Sequence, residues 1–549
     1  MLRTFRVTVF SFLVILLCLT NIYADEIRPS DEIGAIRTAI MDAKDGDVII
    51  LERGKVYYTQ ATIDINTSIT IKADENTTGR KPIIAFLVKE DGSIDEEMIF
   101  VRASLSCSNI HFHGGISGSI EENINRAVVF VDTPNMRAVF DKCWFEDFDA
   151  RTVQLEAPDI RFFATNCIWC DDHKAGGPSE GRSLDLRQYG PDTLSIKNCS
   201  FLNIGDRWVR HLPSSGRLDP INYAVIDHCT FINGVNYRPG FDFGHLENLQ
   251  YTNNIVNNPG ILGTDFMRRP GKNDGALLLA DPENYYSSDK SLAPHRLREV
   301  FYDRTEGIVV FACHGVDSMG TKITMHHNNC YMDQAIIDKI AENDTLSVQK
   351  WWCSQFRNSI QGDSTDAFTL EQLNFVNAPD LLVDIVDDYF GYWDQNQYLY
   401  MDRTAPDSVD LSYGSTAAAY TAAQGGFPLG DLNWYPDKKA EWEGWITGVN
   451  NDQAVQPVQF DLSQNFPNPF NPVTTIDYNI SKTTHVSLDV YNTIGQKVRS
   501  LVNATQIGGS YQMTWNGQDD TGAQLPSGIY FYRLQAGNET MMKKMTMVK

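Results

Sequence analysis

The sequence predicts an all-β protein: a right-handed parallel β-helix solenoid followed by a small C-terminal β-sandwich. Two observations carry this. A short motif recurs along the middle of the chain, a polar residue, a small one, then apolar alternation ending at Asn or Asp. The segment after residue 458 instead shows longer alternating strands between turn clusters, the pattern of a sandwich.

At the front, Arg3 and Arg6 precede an apolar run from Val7 to Leu19, and Ile22-Tyr23-Ala24 precedes Asp25. Charged, apolar and small in that order, residues 1–24 read as a signal peptide. The run is too short to span a membrane comfortably. Cys18 follows Leu16-Leu17 rather than the small residues of a lipoprotein site. Neither a transmembrane segment nor a lipid anchor is expected.

Residues 25–446 form the expected β-helix domain. Ile33, Ile36 and Ile40 fall at helical spacing, with Ser30 or Asp31 as N-cap and Gly46-Asp47 as stop. Such a helix would cap the open end of a solenoid, which otherwise exposes apolar side chains and strand edges. Val48–Leu51, Ile63, Ile65, Ile69, Ile71 and Pro82–Phe86 give the first strands.

The recurring motif reads Cys143-Trp144-Phe145-Glu146-Asp147, Asn166-Cys167-Ile168-Trp169, Asn198-Cys199-Ser200-Phe201-Leu202-Asn203 and His228-Cys229-Thr230-Phe231-Ile232-Asn233. A weaker copy is Cys107–Phe112; later ones begin at Asn253 and Asn328. Equivalent positions lie 24, 32, 30 and 25 residues apart from Cys143 to Asn254. A strand unit of that length cannot bury its face alone and must stack on neighbours. The step from Asn253 to Asn328 is 75 residues, room for three turns. Stacking predicts ladders of like residues: Cys on Cys, Phe on Phe, Asn on Asn. A buried Cys in such a ladder behaves as a small hydrophobe, so structural thiols are expected in preference to disulfides. Cys167 and Cys170 form a C-x-x-C with no second pair at zinc spacing, which argues against zinc there.

Residues 349–445 are aromatic-rich, with Trp351-Trp352, Tyr389–Trp393 and Gly426–Pro436, and are expected to cap the far end of the solenoid. Residues 447–457 read as a linker and 458–549 as the sandwich. There Val486, Leu488 and Val490 alternate with Ser487 and Asp489, and Tyr530, Tyr532 and Leu534 face away from Ile529, Phe531 and Arg533. The prolines of Asn465–Pro472 lack N–H groups, so that stretch should be an extended edge.

This last segment resembles the C-terminal sorting domain of type IX secretion cargo, itself similar to the immunoglobulin-like domain of flagellar-hook capping proteins. The matching residues include Asn465, Pro467, Asn468, Pro469, Gly495, Gly528, Tyr530, Lys543 and Lys544. The resemblance implies a bacterial protein that passes through the periplasm, engages the type IX machinery, and is secreted or fixed at the outer cell surface. Farther forward, Ala35–Gly54 and the rung motif resemble pectate-lyase-like β-helix proteins, and more narrowly the chondroitinase-B/alginate-lyase group. That layout is shared by lyases, hydrolases, epimerases and noncatalytic surface proteins, so fold alone gives no activity. Lyases of that group remove the proton α to a uronate carboxyl, using a Lys or Arg base, with calcium or another Arg neutralising the carboxylate.

One basic loop stands out: Asp206-Arg207-Trp208-Val209-Arg210-His211 through Arg217. Arg207, Arg210, His211 and Arg217 are the catalytic candidates. Arg207 and Arg210 could grip carboxylates, Trp208 could stack on a sugar, and Lys174 and Arg238 could add substrate contacts. Arg187 and Arg268-Arg269 could lie nearby. Alternatively these Arg pair with local Asp and stabilise loops. His111 and His113 flank Phe112 and point one way; they and His326-His327 suit a base or corner hydrogen bonding. Asp147 with Asp149, Asp171-Asp172, and Asp384 with Asp387-Asp388 could hold Ca2+ as a cofactor. Asp171-Asp172 or Asp242 could serve glycoside hydrolysis.

The formal charge of −24, about −26 without Arg3 and Arg6, disfavours nucleic acid as a partner. The expectation is an exported monomer that acts on or binds polysaccharide, foremost as a β-elimination lyase on uronic-acid glycans. The alternative is a noncatalytic carbohydrate-binding or adhesive surface protein.

Overall fold

In the central part of the chain, three-to-six-residue strands repeat in sets of three, each strand pairing with its counterpart one rung away. In this computed structural model of the protein, residues 25–114, 126–172, 181–187, 189–211, 219–234, 240–244, 246–259, 309–313, 322–343, 350–352, 368–379, 408–447, 460–465, 468–471, 473–480, 484–506, 509–537 and 539–548 are described. The chain visits three parallel sheets in turn, with 10, 10 and 9 strands among the described residues. One complete turn, for example, runs Arg137–Asp141 in the first sheet, Trp144–Glu146 in the second and Arg151–Glu156 in the third. The fold is a parallel β-helix.

Stacking forces like onto like. Phe112, Phe145, Trp169, Phe201 and Phe231 are in register and their rings stack at 5.1, 5.0, 4.6 and 4.7 Å. That spacing is set by the backbone separation of paired strands. Each buried ring contributes about 2–3 kcal/mol of apolar burial. Cys143, Cys167, Cys199 and Cys229 occupy the corner before these strands, all buried free thiols. Burial pushes the Cys143, Cys167 and Cys199 thiols up. The corner turns through one left-handed residue, Asn109, Lys142, Asn166, Asn198, His228, Asn253 or His327. Asn adopts that conformation more readily than most residues. A second left-handed column follows the second sheet: Asp147, Asp171, Asn203, Asn233 and Asn258. Here amides form a ladder, with Asn258 donating to Asn233 at 3.3 Å, Asn233 to Asn203 at 3.0 Å and Asn203 to Asp171 at 3.0 Å.

Several expectations are corrected. Asn254 Nδ2 donates directly to Asn328 Oδ1 at 3.1 Å, and strand Asn248–Thr252 pairs with Lys322–His326. The long step between them is therefore one rung with an insertion, not three turns. The helix spans Ala35–Met41 and buries Ile36 and Ile40, but its N-cap is Gly34 at φ 80°, not Ser30 or Asp31, and Ile33 is exposed. Within the C-terminal module, Lys350–Trp352 and Phe368–Thr369 add the last strands of the third and second sheets, whereas residues 408–435 run along the outer face of the second sheet. Asp431 Oδ2 accepts from Ser200 Oγ at 2.7 Å, Asn433 Nδ2 donates to Asn198 O at 2.9 Å and Gly430 N to Asn253 O at 2.8 Å. Val409 and Leu411 cover Ile168, Cys170, Leu202 and Ile232 there. This stretch is a strap on the flank rather than an end cap.

The second compact unit, Lys439–Lys549, contains a three-stranded antiparallel sheet (Asp461–Leu462, Thr474–Ile480, Gly509–Trp515) and a four-stranded one (Lys497–Gln506, Thr484–Tyr491, Gly528–Ala536, Glu539–Met547). Val486, Leu488, Val490, Tyr530, Tyr532 and Leu534 are buried in one core with Trp515 and Met545. Asn465 is buried: its N–H donates to Tyr532 Oη and its side chain to Thr474 Oγ1, both at 2.8 Å. Asn468 Oδ1 accepts from Thr546 N at 2.9 Å, and Phe470 bridges Met547 as an edge. Gly495 turns at φ 80°, Tyr530 Oη donates to Pro526 O at 2.7 Å, Lys543 is half-buried and Lys544 exposed. Pro467 lies outside the described residues, as do residues 1–24, where the signal peptide is expected.

Candidate functional site

Along the third sheet, Val128, Val153, Leu184, Val209 and Phe241 stack inward in register. The residues that follow them form an outward column: Gln154, Asp185, Arg210 and Asp242. At the head of the strands, Arg126, Arg151 and Arg182 are in register too. The result is a face of guanidiniums gathered on buried carboxylates. Asp185 is the hub: Arg210 Nη1 donates to its Oδ1 at 2.8 Å, while Arg151 Nε, Arg187 Nε and Arg182 Nη1 stand 2.8, 3.4 and 3.5 Å from its Oδ2. Asp206 accepts from Arg182 Nε at 2.7 Å and Arg207 Nη1 at 2.8 Å, and Arg207 Nε lies 2.8 Å from Asp242 Oδ2. Burial alone would push Asp185 up, but the guanidiniums of Arg210, Arg182, Arg187 and Arg151 outweigh it and hold this carboxyl well below the usual range. Five arginines thus face three aspartates, with Glu156 at the rim, 3.6 Å from Arg187 Nε.

Of the residues singled out in the sequence, Arg207 and Arg210 belong to this face. Arg207 is almost fully buried between Asp206 and Asp242, whereas the side chains of Arg187 and Arg210 retain 20% and 15% exposure. Trp208 cannot stack on a sugar. It is 1% exposed and packs 4.9 Å from Phe231 and 5.2 Å from Phe241. A Cβ on Gly240 would stand 2.4 Å from its ring, so glycine there makes room for the indole. His211 is fully buried, in the inward column with Leu186 and Phe243, and is removed from any base role on a polymer. Lys174, Arg217, Arg238, Arg268-Arg269, Asp384 and Asp387-Asp388 lie outside the described residues. Arg151, Arg182 and Asp185 were missed, although carrying the rung register onto the third strand of each repeat would have aligned the arginines.

A second cluster lies at the corner between the second and third sheets. His111 Nε2 is 2.8 Å from Glu146 Oε2, and His113 Nε2 is 4.0 Å from Glu146 Oε2 and 3.7 Å from Asp147 Oδ2. Donor atoms of His113, Glu146 and Asp147 lie mutually within 4.8 Å, as do those of Glu146, Cys170 and Asp171. Asp172 accepts from Thr152 Oγ1 at 2.5 Å, and burial pushes its carboxyl well up. Calcium takes six to eight oxygens. The aspartates of the arginine face are committed to guanidiniums, and the two described groups able to hold an ion include nitrogen or sulfur, so neither fits calcium well. His326 and His327 stand at a corner, Nδ1 to Nδ1 at 2.6 Å, with His327 in the left-handed position.

A family model described as a secretion system C-terminal sorting domain matches residues 464–548. The C-terminal unit is therefore a sorting tail of the kind carried by type IX secretion cargo, and it marks the protein for the cell surface or the medium. Among solved structures, the chain is similar to dimeric latent PorU from Porphyromonas gingivalis, with 23% identity, 18% of this chain and 10% of that chain covered, and a TM-score of 0.15. It is similar to PorZ, a surface component of the type IX secretion system of the same organism, with 14% identity, 19% and 13% coverage, and a TM-score of 0.14. The match thus spans about a tenth of the length of those two chains. A tailspike protein, gp49 of Acinetobacter baumannii bacteriophage Fri1, a capsular polysaccharide depolymerase, shows 9% identity over 96% of this chain and 78% of that chain, with a TM-score of 0.23. No curated protein matches the chain. At these TM-scores none of the structural likenesses carries an argument. Among the described residues, no helix is long and apolar enough to cross a membrane.

Proposed function

We propose that this is an exported β-helix protein that engages an acidic polysaccharide on the outer face of its third sheet, with residues 1–24 as the leader into the periplasm. One observation carries the reading: in a chain of formal charge −24, Arg151, Arg182, Arg187, Arg207 and Arg210 gather, among the described residues, on Asp185, Asp206 and Asp242, with Glu156 at the rim. Such a local excess attracts a uronate carboxylate against the field of the whole molecule. Arg187 and Arg210, the most accessible of the five, would meet it. Guanidiniums held in place by buried carboxylates lose little freedom on binding, which favours recognition.

The activity this arrangement would serve is β-elimination. A carboxylate neutralised by guanidiniums makes the adjacent C–H acidic; a base removes that proton, the freed electron pair forms a C=C bond as the neighbouring C–O bond breaks, and the departing oxygen takes up a proton from the base or solvent, leaving an unsaturated uronate. The burial of Arg207, Trp208 and His211 favours a second reading, binding without turnover. The test incubates the exported chain with alginate, pectate and chondroitin, following ultraviolet absorbance of unsaturated ends and retardation in polymer-containing gels. Absorbance that rises in the native chain and falls in Arg187→Gln and Arg210→Gln, with each variant shown to be folded at the assay temperature by circular dichroism, supports elimination. Retardation without absorbance selects the binding reading. If neither signal responds to either substitution, the face is wrongly assigned.

A further inference from the structure

We infer that His113, Glu146 and Asp147 form a site for a divalent transition-metal ion of the zinc class, distinct from the arginine face. Strand His111–His113 pairs with Trp144–Glu146 so that His113 lies directly opposite Glu146. Asp147 follows in the left-handed conformation at φ 61°, which turns it back toward the same corner. The separations from His113 Nε2, 4.0 Å to Glu146 and 3.7 Å to Asp147, are close to tetrahedral zinc geometry. Bonds of about 2.0–2.2 Å place neighbouring ligands roughly 3.4 Å apart, so small side-chain movements would close the shell.

His111 supplies an independent indication. Its side chain is 10% exposed, and its Nε2 stands 2.8 Å from Glu146 Oε2 without making a hydrogen bond. A ring nitrogen nine-tenths buried, aimed at the Glu146 carboxylate and left without a hydrogen bond, marks this corner as short of one partner, which a bound cation would supply.

The ladder after the second sheet points the same way. Asn258, Asn233 and Asn203 pass hydrogen bonds rung to rung and the ladder ends on Asp171, which accepts from Asn203; one rung farther, beside His113, the position is Asp147. A carboxylate stands there where an amide could have continued the ladder. Gly114 keeps the corner tight: a Cβ there would stand 1.9 Å from Asp147 O. Imidazole nitrogen selects zinc, copper, iron or nickel over calcium.

The test uses the untagged exported chain, stripped with chelator and titrated calorimetrically with Zn2+ or Ca2+ alone. Expected are one zinc per chain, a higher melting temperature with zinc, and no calcium binding at this site. Glu146→Gln and His113→Gln remove the stoichiometric zinc; His111→Gln weakens it roughly tenfold; the exposed control Glu90→Gln leaves it unchanged. If the native chain binds no zinc, or if Glu146→Gln binds it as tightly as native, the site is overturned. Should His113→Gln fail to fold, the visible spectrum of the Co2+-loaded native chain decides. Tetrahedral bands lost in Glu146→Gln support the site, and bands unchanged in that variant refute it.

Discussion

Asp185 is where the third sheet is most exposed to attack by mutation. Its carboxylate is fully buried and faces Arg210, Arg151, Arg187 and Arg182 at 2.8 to 3.5 Å. Asp185→Asn keeps the shape but leaves those guanidiniums without their shared counter-charge. Breaking a buried pair from one side costs about 3–5 kcal/mol. Because Arg187 and Arg210 keep some solvent, about 3 kcal/mol is the reasonable figure. A solenoid opens by rungs, so the loss should appear locally. Hydrogen exchange in Arg151–Glu156 and Arg182–Asp185 should accelerate on the order of 100-fold, while strands near Ile63–Ile65 stay unchanged. The acid limb should change as well. The folded Asp185 carboxyl titrates below its unfolded value, so its contribution is present above about pH 4 and is lost as pH falls toward the folded pKa. The variant should lack that part of the acid destabilisation. Exchange within threefold of native at both strands would refute the hub.

Asp172 should behave in the opposite sense. Its pKa is raised, so its contribution is present below the unfolded carboxylate pKa and declines as pH rises. Asp172→Asn, which can still accept from Thr152, should therefore raise melting temperature more at pH 8 than at pH 5; an equal or reversed difference would count against the assignment. Cys107, Cys143, Cys167, Cys170, Cys199, Cys229 and Cys330, all buried free thiols, should resist alkylation in the folded chain and react after guanidinium unfolding, as read by peptide mass spectrometry. Rapid native labelling of Cys167 or Cys199 would contradict the stacked ladder. In the sorting tail, Tyr532→Phe removes a hydroxyl that accepts from Asn465 N and donates to Ser463 O. It should cost about 1–3 kcal/mol, seen as a lower urea midpoint. Deleting residues 458–549 should abolish appearance outside the cell, measured by fractionation; unchanged export would remove the sorting role.

Some features could be read from residues alone because their cause is local or periodic. The rung motif reveals stacking since parallel pairing puts equal positions on top of one another: hence the aromatic column from Phe112 to Phe231, the Cys corner and the Asn ladder. Alternation over Val486–Val490 and Tyr530–Leu534 marked the sandwich for the same reason of a two-residue period. Other features depend on distance along the chain. The rung from Asn254 to Asn328 was hidden by 74 residues, and the strap on Ser200 comes from Asp431, 231 residues away. Trp208 illustrates how a single bulge defeats alternation: Trp208 N and Val209 N both donate to Gly240 O, the indole turns inward, and an apparent sugar platform becomes core. The partners of the arginines and of His113 also sit on neighbouring rungs. Residue type and spacing therefore determined the ladders and the sorting tail, whereas which charges meet was decided by lateral packing of segments that share no local pattern.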